Sequence, residues 1–370
     1  MLLTSPPITK ALAAQLRDLD KLRKRLGDRA GAASPWLGQL RRQVRASSAE
    51  SSVSIEGYQV PEGEVVGIVS GEQPPGPDDE NRMALACYAR AMDHVGTLAV
   101  DPHFNWSHRV VLDLHFDACS FQRDKSPGLY RTAPISVTSA HDGPPSYVGP
   151  DGDQVKPLMD EVVDWLQNGD LDQHVVVRAA MAHLHVVSVH PFRDGNGRIS
   201  RIVQSLVLAR EGLLAPEFGS IEEYLGRNTS AYYEALTKAQ GGRYQPQRDA
   251  SPWIRYCVRA HVEQARARIR QVAQAGARWS FLEDLVEQRG WPDRLVIALA
   301  QSLFQGTDRG MYAEEADVSS ATASGDLRRL ADAGLIVQRG KGRSTRYSAS
   351  TPLRADVGER MRVEALVAAE

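Results

Sequence analysis

Two apolar segments with helical periodicity, separated by a short polar loop, constrain the fold of this chain more than any other feature. The first runs from about residue 173 to His190, and the proline that follows predicts that the helix ends there. The second places apolar residues at i, i+3, i+4 and i+7 from Ile199, which predicts one buried helix face. The sequence therefore predicts a helix, a polar turn and a second helix.

The loop between these helices concentrates charged and flexible residues in HPFRDGNGRISR, from His190 to Arg201. Its two glycines flank Asn196 and allow positive φ angles, so successive backbone N–H groups can point at one anion. The turn leads into a helix N-terminus, where unpaired N–H groups and the helix dipole favour negative charge. We therefore expect Gly195, Asn196 and Gly197 to bind phosphate, with an added donor from the Asn196 side chain.

The other side chains of the loop suit a triphosphate and its metal ion. Arg198 and Arg201 are three residues apart on the predicted helix, where two guanidinium groups on one face can hold two phosphate groups. Asp194 would repel phosphate unless Mg²⁺ lies between them. His190 can take a proton from a hydroxyl group at neutral pH. Together these residues predict attack of an alcohol on a magnesium-bound triphosphate, although such a glycine turn alone is common.

The loop resembles the signature of the Fic family, HPFx(D/E)GNGRxxR, and matches it at every defined position. The resemblance extends over roughly residues 45–265. It implies a protein adenylyltransferase, which transfers AMP from ATP to a Ser, Thr or Tyr hydroxyl of a target protein, or of itself, and releases pyrophosphate. In that scheme His190 is the general base and Asp194 holds Mg²⁺. Arg198 and Arg201 hold the β- and γ-phosphates.

Two further segments resemble parts of Fic proteins that contact the reactants. The β-prone stretch of about residues 128–150 resembles the flap that aligns the side chain of the target. Asn228, Tyr232 and Tyr233 resemble the segment that contacts the nucleotide base. Some Fic relatives transfer other phosphate-containing groups, and the motif alone leaves that choice open.

A second motif, SVSIEG from Ser52 to Gly57, resembles the inhibitory motif (S/T)xxxE(G/N) of Fic proteins with an N-terminal inhibitory helix. Glu56 can form a bidentate pair with Arg201 and so compete with the γ-phosphate. Ser52 lies one turn earlier on the same face, where it can contact the pair or the nucleotide. The alternative is a capped helix that merely ends in glycine. The family also implies that Glu56 can support the reverse reaction, removal of AMP.

The length of 370 residues exceeds what one core accommodates and predicts two or three domains. Residues 1–45 are typical of a helical lead-in, and residues 46–265 would form the Fic domain with an inhibitory helix over about 46–57. The order helix, helix, helix, hairpin over residues 277–355 resembles a winged helix domain. The expected fold class is therefore mainly α: a Fic-type helical bundle with a small β-hairpin flap, plus a C-terminal winged helix-turn-helix domain.

Basic residues of the C-terminal domain favour a different class of function. They lie on the presumed recognition helix and wing, where they can contact a DNA backbone: Arg328, Arg329, Arg339, Lys341, Arg343 and Arg346. The net charge of −2 gives no global attraction to DNA, and the start of the recognition helix lacks Asn, Gln and Arg. The alternative to an enzyme is a DNA-binding transcriptional regulator whose Fic domain senses nucleotide.

Other features exclude some classes of protein. Three scattered cysteines predict reduced thiols in a cytoplasmic protein. No apolar run approaches the ~18 residues of a membrane span, so we expect no membrane partner. His183 and His185 point to different sides of a helix, which favours packing over a shared metal. The resemblance also leaves a homodimer open.

Overall fold

The chain is mainly helical over its described residues, which confirms the predicted class. The computed structural model describes residues 1–31, 34–72, 75–76, 78–138, 145–304, 306–340, 342 and 345–367. It divides into two units. The first comprises Met1–Gly31 and Arg41–Ile269, and the second the described parts of Ala32–Leu40 and Arg270–Glu370. Among the described helices, none is long and apolar enough to cross a membrane.

The first unit is a helical bundle with one β-hairpin. The helices that lie wholly or partly in it are α1 (Lys10–Ala30), α2 (Leu37–Ile55), α3 (Glu62–Val69), α4 (Glu80–Val100), α5 (His108–Cys119), α6 (Gly152–Asn168), α7 (Val175–Val189), α8 (Asn196–Ala209), α9 (Pro216–Gly219), α10 (Glu222–Arg227), α11 (Thr229–Gln240) and α12 (Ser251–Glu287). The hairpin consists of β1 (Ser136–Thr138) and β2 (Pro145–Val148).

Helices α7 and α8 lie at the centre of this unit and pack on each other. Nearly every side chain of α7 is buried, because a helix that is apolar all round must be covered on every side. Helices α4 and α5 pack against α8, and α6 packs against α7. Ile199, Ile202 and Val203 are fully buried, as their spacing predicts. The polar loop therefore connects two helices that are almost completely buried.

The N-terminal segment is helical, but the boundary of its second helix differs from the predicted one. Residues 1–45 contain α1 and the start of α2, which continues into the predicted inhibitory helix of about residues 46–57. The serines at positions 47, 48, 51 and 52 lie inside α2. Burial of the apolar face of α2, including Val53 at 0% exposure, outweighs the weak helix preference of serine. Helices α3 and α6 are also absent from the prediction.

The hairpin lies between α5 and α6, within the predicted flap. Its strands are antiparallel, with Val137 opposite Tyr147, and the register shifts between Val137 and Thr138. The Tyr147 hydroxyl donates to the Ser188 carbonyl of α7 at 2.5 Å, which fixes β2 beside the end of that helix. The predicted flap also includes residues 139–144, which lie outside the described part of the chain.

The second unit contains helices followed by a hairpin, in the predicted order. Its elements are α13 (Leu295–Phe304), α14 (Arg309–Glu315), α15 (Ser320–Asp332), β3 (Ile336–Arg339), β4 (Arg346–Ala349) and α16 (Thr351–Val367). Leu299, Tyr312 and Leu327 are fully buried in a separate apolar core. Helix α16 is absent from the prediction, and Lys341 and Arg343 lie outside the described residues.

Candidate active site

The polar loop joins α7 to α8 through two residues with left-handed backbone. His190 caps α7 with φ of +51°, and its N–H donates to the Val186 carbonyl at 3.0 Å. Gly195 precedes α8 with φ of +76°. A Cβ atom at position 195 would collide with Sγ of Cys119, so both the angle and the space require glycine there.

Asn196 closes the loop by bonding to Phe192. Its Oδ1 accepts from the Phe192 N–H at 2.9 Å, and its Nδ2 donates to the Phe192 carbonyl at 2.8 Å. These bonds fix the orientation of the side chain and use one of the two N–H donors of its amide, so donation to phosphate by the other stays a prediction. The Asn196 backbone N–H still lies in the first turn of α8, where helix N–H groups are unpaired.

His115 on α5 contacts the loop at Phe192 and Asp194, and the sequence did not predict this role. Its ring stacks on Phe192 with centroids 3.6 Å apart. Nδ1 accepts from the Gly128 N–H at 2.9 Å, so Nε2 donates to the Asp194 carbonyl at 3.0 Å. Burial lowers the pKa of His115 to about 4, which keeps the ring neutral, with one donor and one acceptor. No local motif signals this residue, because its partners are distant in sequence.

Arg131 lies in the segment that resembles the flap, but its contacts with the end of α7 were not predicted. Only 3% exposed, it donates to the carbonyls of His190 at 2.7 Å, Ala133 at 2.7 Å and Pro150 at 2.8 Å. These bonds tie both ends of the hairpin segment to the end of α7. Arg131 therefore fixes the hairpin relative to His190.

The imidazole of His190 is oriented by its own helix. Nδ1 lies 3.1 Å from the Val187 carbonyl and must donate to it, which leaves the lone pair on Nε2. Burial lowers the pKa of His190 to about 4. The ring is therefore neutral at physiological pH, and its Nε2 can accept a proton.

Arg198 and Arg201 are buried, with hydrogen-bond donors left over. Arg198 is 1% exposed and donates from Nη2 to Oε1 of Gln122 at 2.9 Å. Among the described groups, its Nε and Nη1 have no acceptor, and neither does Nη1 of Arg201, which is 2% exposed. Buried donors without acceptors are rare and costly. An anionic ligand would satisfy them.

Glu56 lies at the end of α2 and pairs with Arg201, as predicted from the motif. Its Oε1 accepts from Nη2 of Arg201 at 2.8 Å. The pair is not bidentate, because Nε of Arg201 donates instead to the Ser52 hydroxyl at 2.8 Å. Burial alone would lower the pKa of Arg201, but Glu56 and the nearby tyrosines raise it overall. A Cβ atom at Gly197 would lie 2.5 Å from Oε1 of Glu56, so the carboxylate covers the start of α8.

Asp194 is suited to hold a metal ion together with a ligand. Its side chain is 37% exposed, Oδ1 accepts from the Gly195 N–H at 2.6 Å, and Oδ2 accepts from Gln122 at 2.8 Å. Each oxygen keeps a further lone pair. In the described part of the chain, no group of three or more His, Cys, Asp or Glu could hold a metal. A Mg²⁺ ion here would be bound by one carboxylate and by nucleotide phosphates, as is usual for this ion.

Several of these groups line a cleft of about 330 Å³, whereas Arg198 and Arg201 are not among its lining residues and lie behind Asn196 and Gly197 on α8. Its lining combines the loop, the tip of α2, the hairpin and α11, and includes Glu56, Val137, His190, Asp194, Gly197 and Tyr233. The cleft therefore brings a base, a carboxylate and a helix N-terminus together beside an exposed strand.

The part of the chain that forms this loop is similar to a known protein family. Residues 105–208, which include the whole loop, match the Fic/DOC family. The chain carries a Fic domain. Relatives of the Fic domain include protein adenylyltransferase fic-1 of Caenorhabditis elegans, 32% identical over 154 residues, and protein adenylyltransferase Fic of Nematostella vectensis, 29% identical over 150 residues. These matches cover 41% and 40% of this chain but only 26% and 31% of those proteins.

Solved structures show the same fold. A Fic family protein from Desulfovibrio desulfuricans G20 superposes with a TM-score of 0.59 over 94% of this chain and 98% of that one, at 18% identity. Fic-1 of C. elegans, residues 134–508, superposes with a TM-score of 0.56 over 69% of this chain and 71% of that one, at 25% identity. The Fic fold of this chain therefore rests on both sequence and structure.

The residues predicted to contact the nucleotide base are placed differently from one another. Tyr232 and Tyr233 line the Fic cleft, and the Tyr233 hydroxyl donates to the Ile55 carbonyl at 3.3 Å. Asn228 is not among the residues that line the cleft, and its amide donates to the Tyr224 carbonyl at 2.8 Å. Of these three residues, the two tyrosines are therefore the better candidates for contact with the nucleotide base.

Proposed function

We propose that this protein is an adenylyltransferase that transfers AMP from ATP to a Ser, Thr or Tyr hydroxyl of a target protein or of itself. The observation that supports this most strongly is the set of unpaired buried donors on Arg198 and Arg201, beside a helix N-terminus and a neutral His190. A triphosphate supplies the acceptors that these groups lack, and the histidine supplies the base.

The proposed step follows from these positions. Nε2 of His190 takes the proton from the target hydroxyl, whose oxygen attacks the α-phosphorus of ATP. A new P–O bond forms to the target, the bond from the α-phosphorus to the bridging oxygen breaks, and pyrophosphate leaves. Arg198 and Arg201 stabilise the negative charge that develops on the departing phosphates. The neutral state of His190 fits this role, since a protonated ring could not accept the proton.

Asp194 would hold Mg²⁺ in this scheme, together with the phosphates. The ion, when bound, neutralises charge on the phosphate oxygens. The carboxylate of Asp194 is kept in position by the Gly195 N–H and by Gln122.

The hairpin is suited to present the target. All three residues of β1, from Ser136 to Thr138, are exposed, and two of them line the cleft. An extended segment of a target can add to such an edge through main-chain hydrogen bonds, which require little of its sequence. Arg131, which bonds to both the hairpin segment and His190, would then hold the bound target at a fixed position relative to His190.

We further propose that Glu56 inhibits the enzyme at rest. Its carboxylate takes up Nη2 of Arg201 and covers Gly197, the place where the γ-phosphate would bind. Removal of the carboxylate would free the guanidinium group for ATP. We also propose that this carboxylate orients a water molecule, so that removal of AMP from a modified target is a second activity of the site.

The position of a label in ATP tests the proposed chemistry. The Glu56→Ala variant, incubated with Mg²⁺ and ATP, should gain label from the α-phosphate and none from the γ-phosphate, with the mass increase of one AMP. His190→Ala in the same background should lower the rate about 10²- to 10⁴-fold. His174→Ala, which removes a histidine paired with Asp20, provides the matched control. Incorporation of γ-label, or no incorporation, would contradict the proposal.

A second candidate function concerns the C-terminal unit, which we infer to be a winged helix domain. Arg328 and Arg329 on α15 and Arg339 at the end of β3 are all exposed, as contacts to a DNA backbone require. This feature favours a DNA-binding regulator whose Fic domain senses nucleotide. A salt-dependent gel shift with the full chain tests it, and loss of binding in Arg328→Ala/Arg329→Ala would support it. No shift at low salt leaves only the enzyme.

A further inference from the structure

A second cavity lies in the first unit and shares no lining residue with the Fic cleft. It has a volume of about 260 Å³ and is formed by α2, α4 and the segment from Pro216 to Glu222. It lies along the helix whose tip carries Glu56. No activity proposed above makes use of it.

One carboxyl oxygen at this cavity has no partner. Glu222 is 2% exposed, and its Oε1 accepts from the Tyr88 hydroxyl at 2.9 Å and from Ser205 at 3.3 Å. Its Oε2 is buried and receives no hydrogen bond from any described group. A buried acceptor in this state is unfavourable, so a ligand that brings a donor gains binding energy from it.

The other residues that line the cavity indicate which chemical groups the rest of such a ligand would have. Ala49, Met92 and Pro216 give the cavity apolar walls. The lining contains three arginines, Arg41, Arg42 and Arg45, and three carboxylates, so it carries no excess positive charge. Arg45 pairs with Asp93 at 2.5 Å, and Arg41 lies 3.7 Å from Glu217. Nε of Arg45 has no acceptor among the described groups, but the Arg45 side chain is 36% exposed, whereas Glu222 is 2% exposed and is the most deeply buried charge at the cavity. The cavity suits an apolar body with an N–H donor at one end.

We propose that this cavity is a binding site for a small molecule with an apolar or aromatic body and an amine or amidine head that bonds to Oε2 of Glu222. A charged head also pairs with the carboxylate, which strengthens the hydrogen bond. Burial raises the pKa of Glu222, so an uncompensated charge there is unfavourable and a cation relieves it.

The position of the cavity connects it to the inhibitory contact. Arg45, Ala49, Ser52 and Glu56 follow one another at spacings of four, three and four residues, hence on one stripe of α2. Tyr88 bonds to Glu222 and also lies beside Ser52, which holds Arg201. A ligand that joins α2 to α10 therefore favours the resting position of α2. This second part rests on the proposed adenylyltransferase function.

Benzamidine is the probe that tests binding, and benzoate is its control. In the full chain, benzamidine should raise the thermal midpoint in a concentration-dependent way, and benzoate should not. Glu222→Gln should abolish the shift, since the amide keeps an acceptor for Tyr88 but loses the charge. Gly96→Leu fills the cavity from α4, where a Cβ atom meets nothing within 4 Å, and should also abolish it. No shift in wild type, or an equal shift in both variants, would overturn the site.

A rate measurement tests the connection to α2. At ten times its Kd, benzamidine should lower AMP incorporation by the wild type by up to about tenfold and leave Glu56→Ala unchanged. Binding without any change in the wild-type rate would overturn the regulatory part alone. If Glu56→Ala incorporates no AMP at all, the proposed function fails, while the thermal shift still decides the site.

Discussion

The loop between α7 and α8 and the tip of α2 meet at Arg201, but they are held in very different ways. The loop is held by hydrogen bonds of three side chains: Asn196 within it, His115 of α5, and Arg131 of the hairpin segment. Glu56 follows the last residue of α2, is 22% exposed and contacts Arg201 through one oxygen. The loop with the proposed catalytic residues is thus held by many bonds, whereas the proposed inhibitory residue is held by few.

This difference would allow the proposed inhibition by Glu56 to be strong at rest and still reversible. A hydrogen bond to a charged group contributes about 1.5–3 kcal/mol, which bound Mg²⁺ and ATP can replace with interactions of their own. Arg201 itself need not move, since Ser52 holds its Nε. The account predicts that damage to the loop removes activity, and that damage to the tip of α2 increases it.

The largest effect is expected at the residue that both regions share. Arg201→Lys in the Glu56→Ala background keeps the charge but loses the fork of donors, so the rate of AMP transfer should fall about 100-fold. The measurement is the initial rate of AMP incorporation at saturating target. Arg255→Lys, an exposed residue on α12, should leave the rate unchanged. Retention of the full rate by Arg201→Lys would show that the guanidinium group is not a phosphate ligand.

Rigidity of the loop can be tested by its internal bonds. Asn196→Ala removes both bonds to Phe192 and leaves a buried N–H and a carbonyl unpaired, so the free energy of unfolding should fall by about 3 kcal/mol. Urea unfolding measures this change. Asn168→Ala, which removes one exposed bond to Asp164, should change it by less than about 0.5 kcal/mol. Equal effects would contradict the view that the loop is held from within.

A smaller effect concerns the helix that carries the loop. Burial lowers the pKa of His185 to about 3, and neither ring nitrogen has a partner among the described residues. The unfolded chain takes up this proton below pH ~6.5 while the folded chain does not, so stability falls as pH decreases. At pH 5 this residue should cost about 2 kcal/mol relative to pH 7. His185→Phe should flatten the pH dependence of unfolding by that amount, and an unchanged slope would contradict the assignment.

The sequence predicts the loop well because its signals are local. Proline after His190, glycine at 195 and the apolar spacing from Ile199 each determine backbone structure within a few residues, and the loop forms between two helices as expected. The pairing of Glu56 with Arg201 also follows from the two motifs. Its single-oxygen geometry does not, because that depends on where the Ser52 hydroxyl lies.

Residues that support the site from a distance in sequence were not predictable. His115, Gln122 and Arg131 contact the loop only because the chain folds back on itself. His115 and Gln122 belong to no recognised motif, and Arg131 lies in the segment that resembles the flap, but the sequence does not predict its bonds to the end of α7. The extent of α2 was missed for a related reason. Its serines disfavour a helix locally, and burial of one face compensates for this only in the folded unit.

The central claim, that Glu56 blocks a competent site at rest, is tested most directly by the initial rate of AMP incorporation in three proteins measured side by side. They are the wild type, Glu56→Ala and Glu50→Ala. Glu50→Ala is the control, because it makes the same substitution in α2 at a glutamate that does not contact Arg201. The account predicts a low rate for the wild type and for Glu50→Ala, and a rate about 10-fold or more higher for Glu56→Ala, the equivalent of releasing one charged hydrogen bond. Equal rates in all three proteins would contradict it.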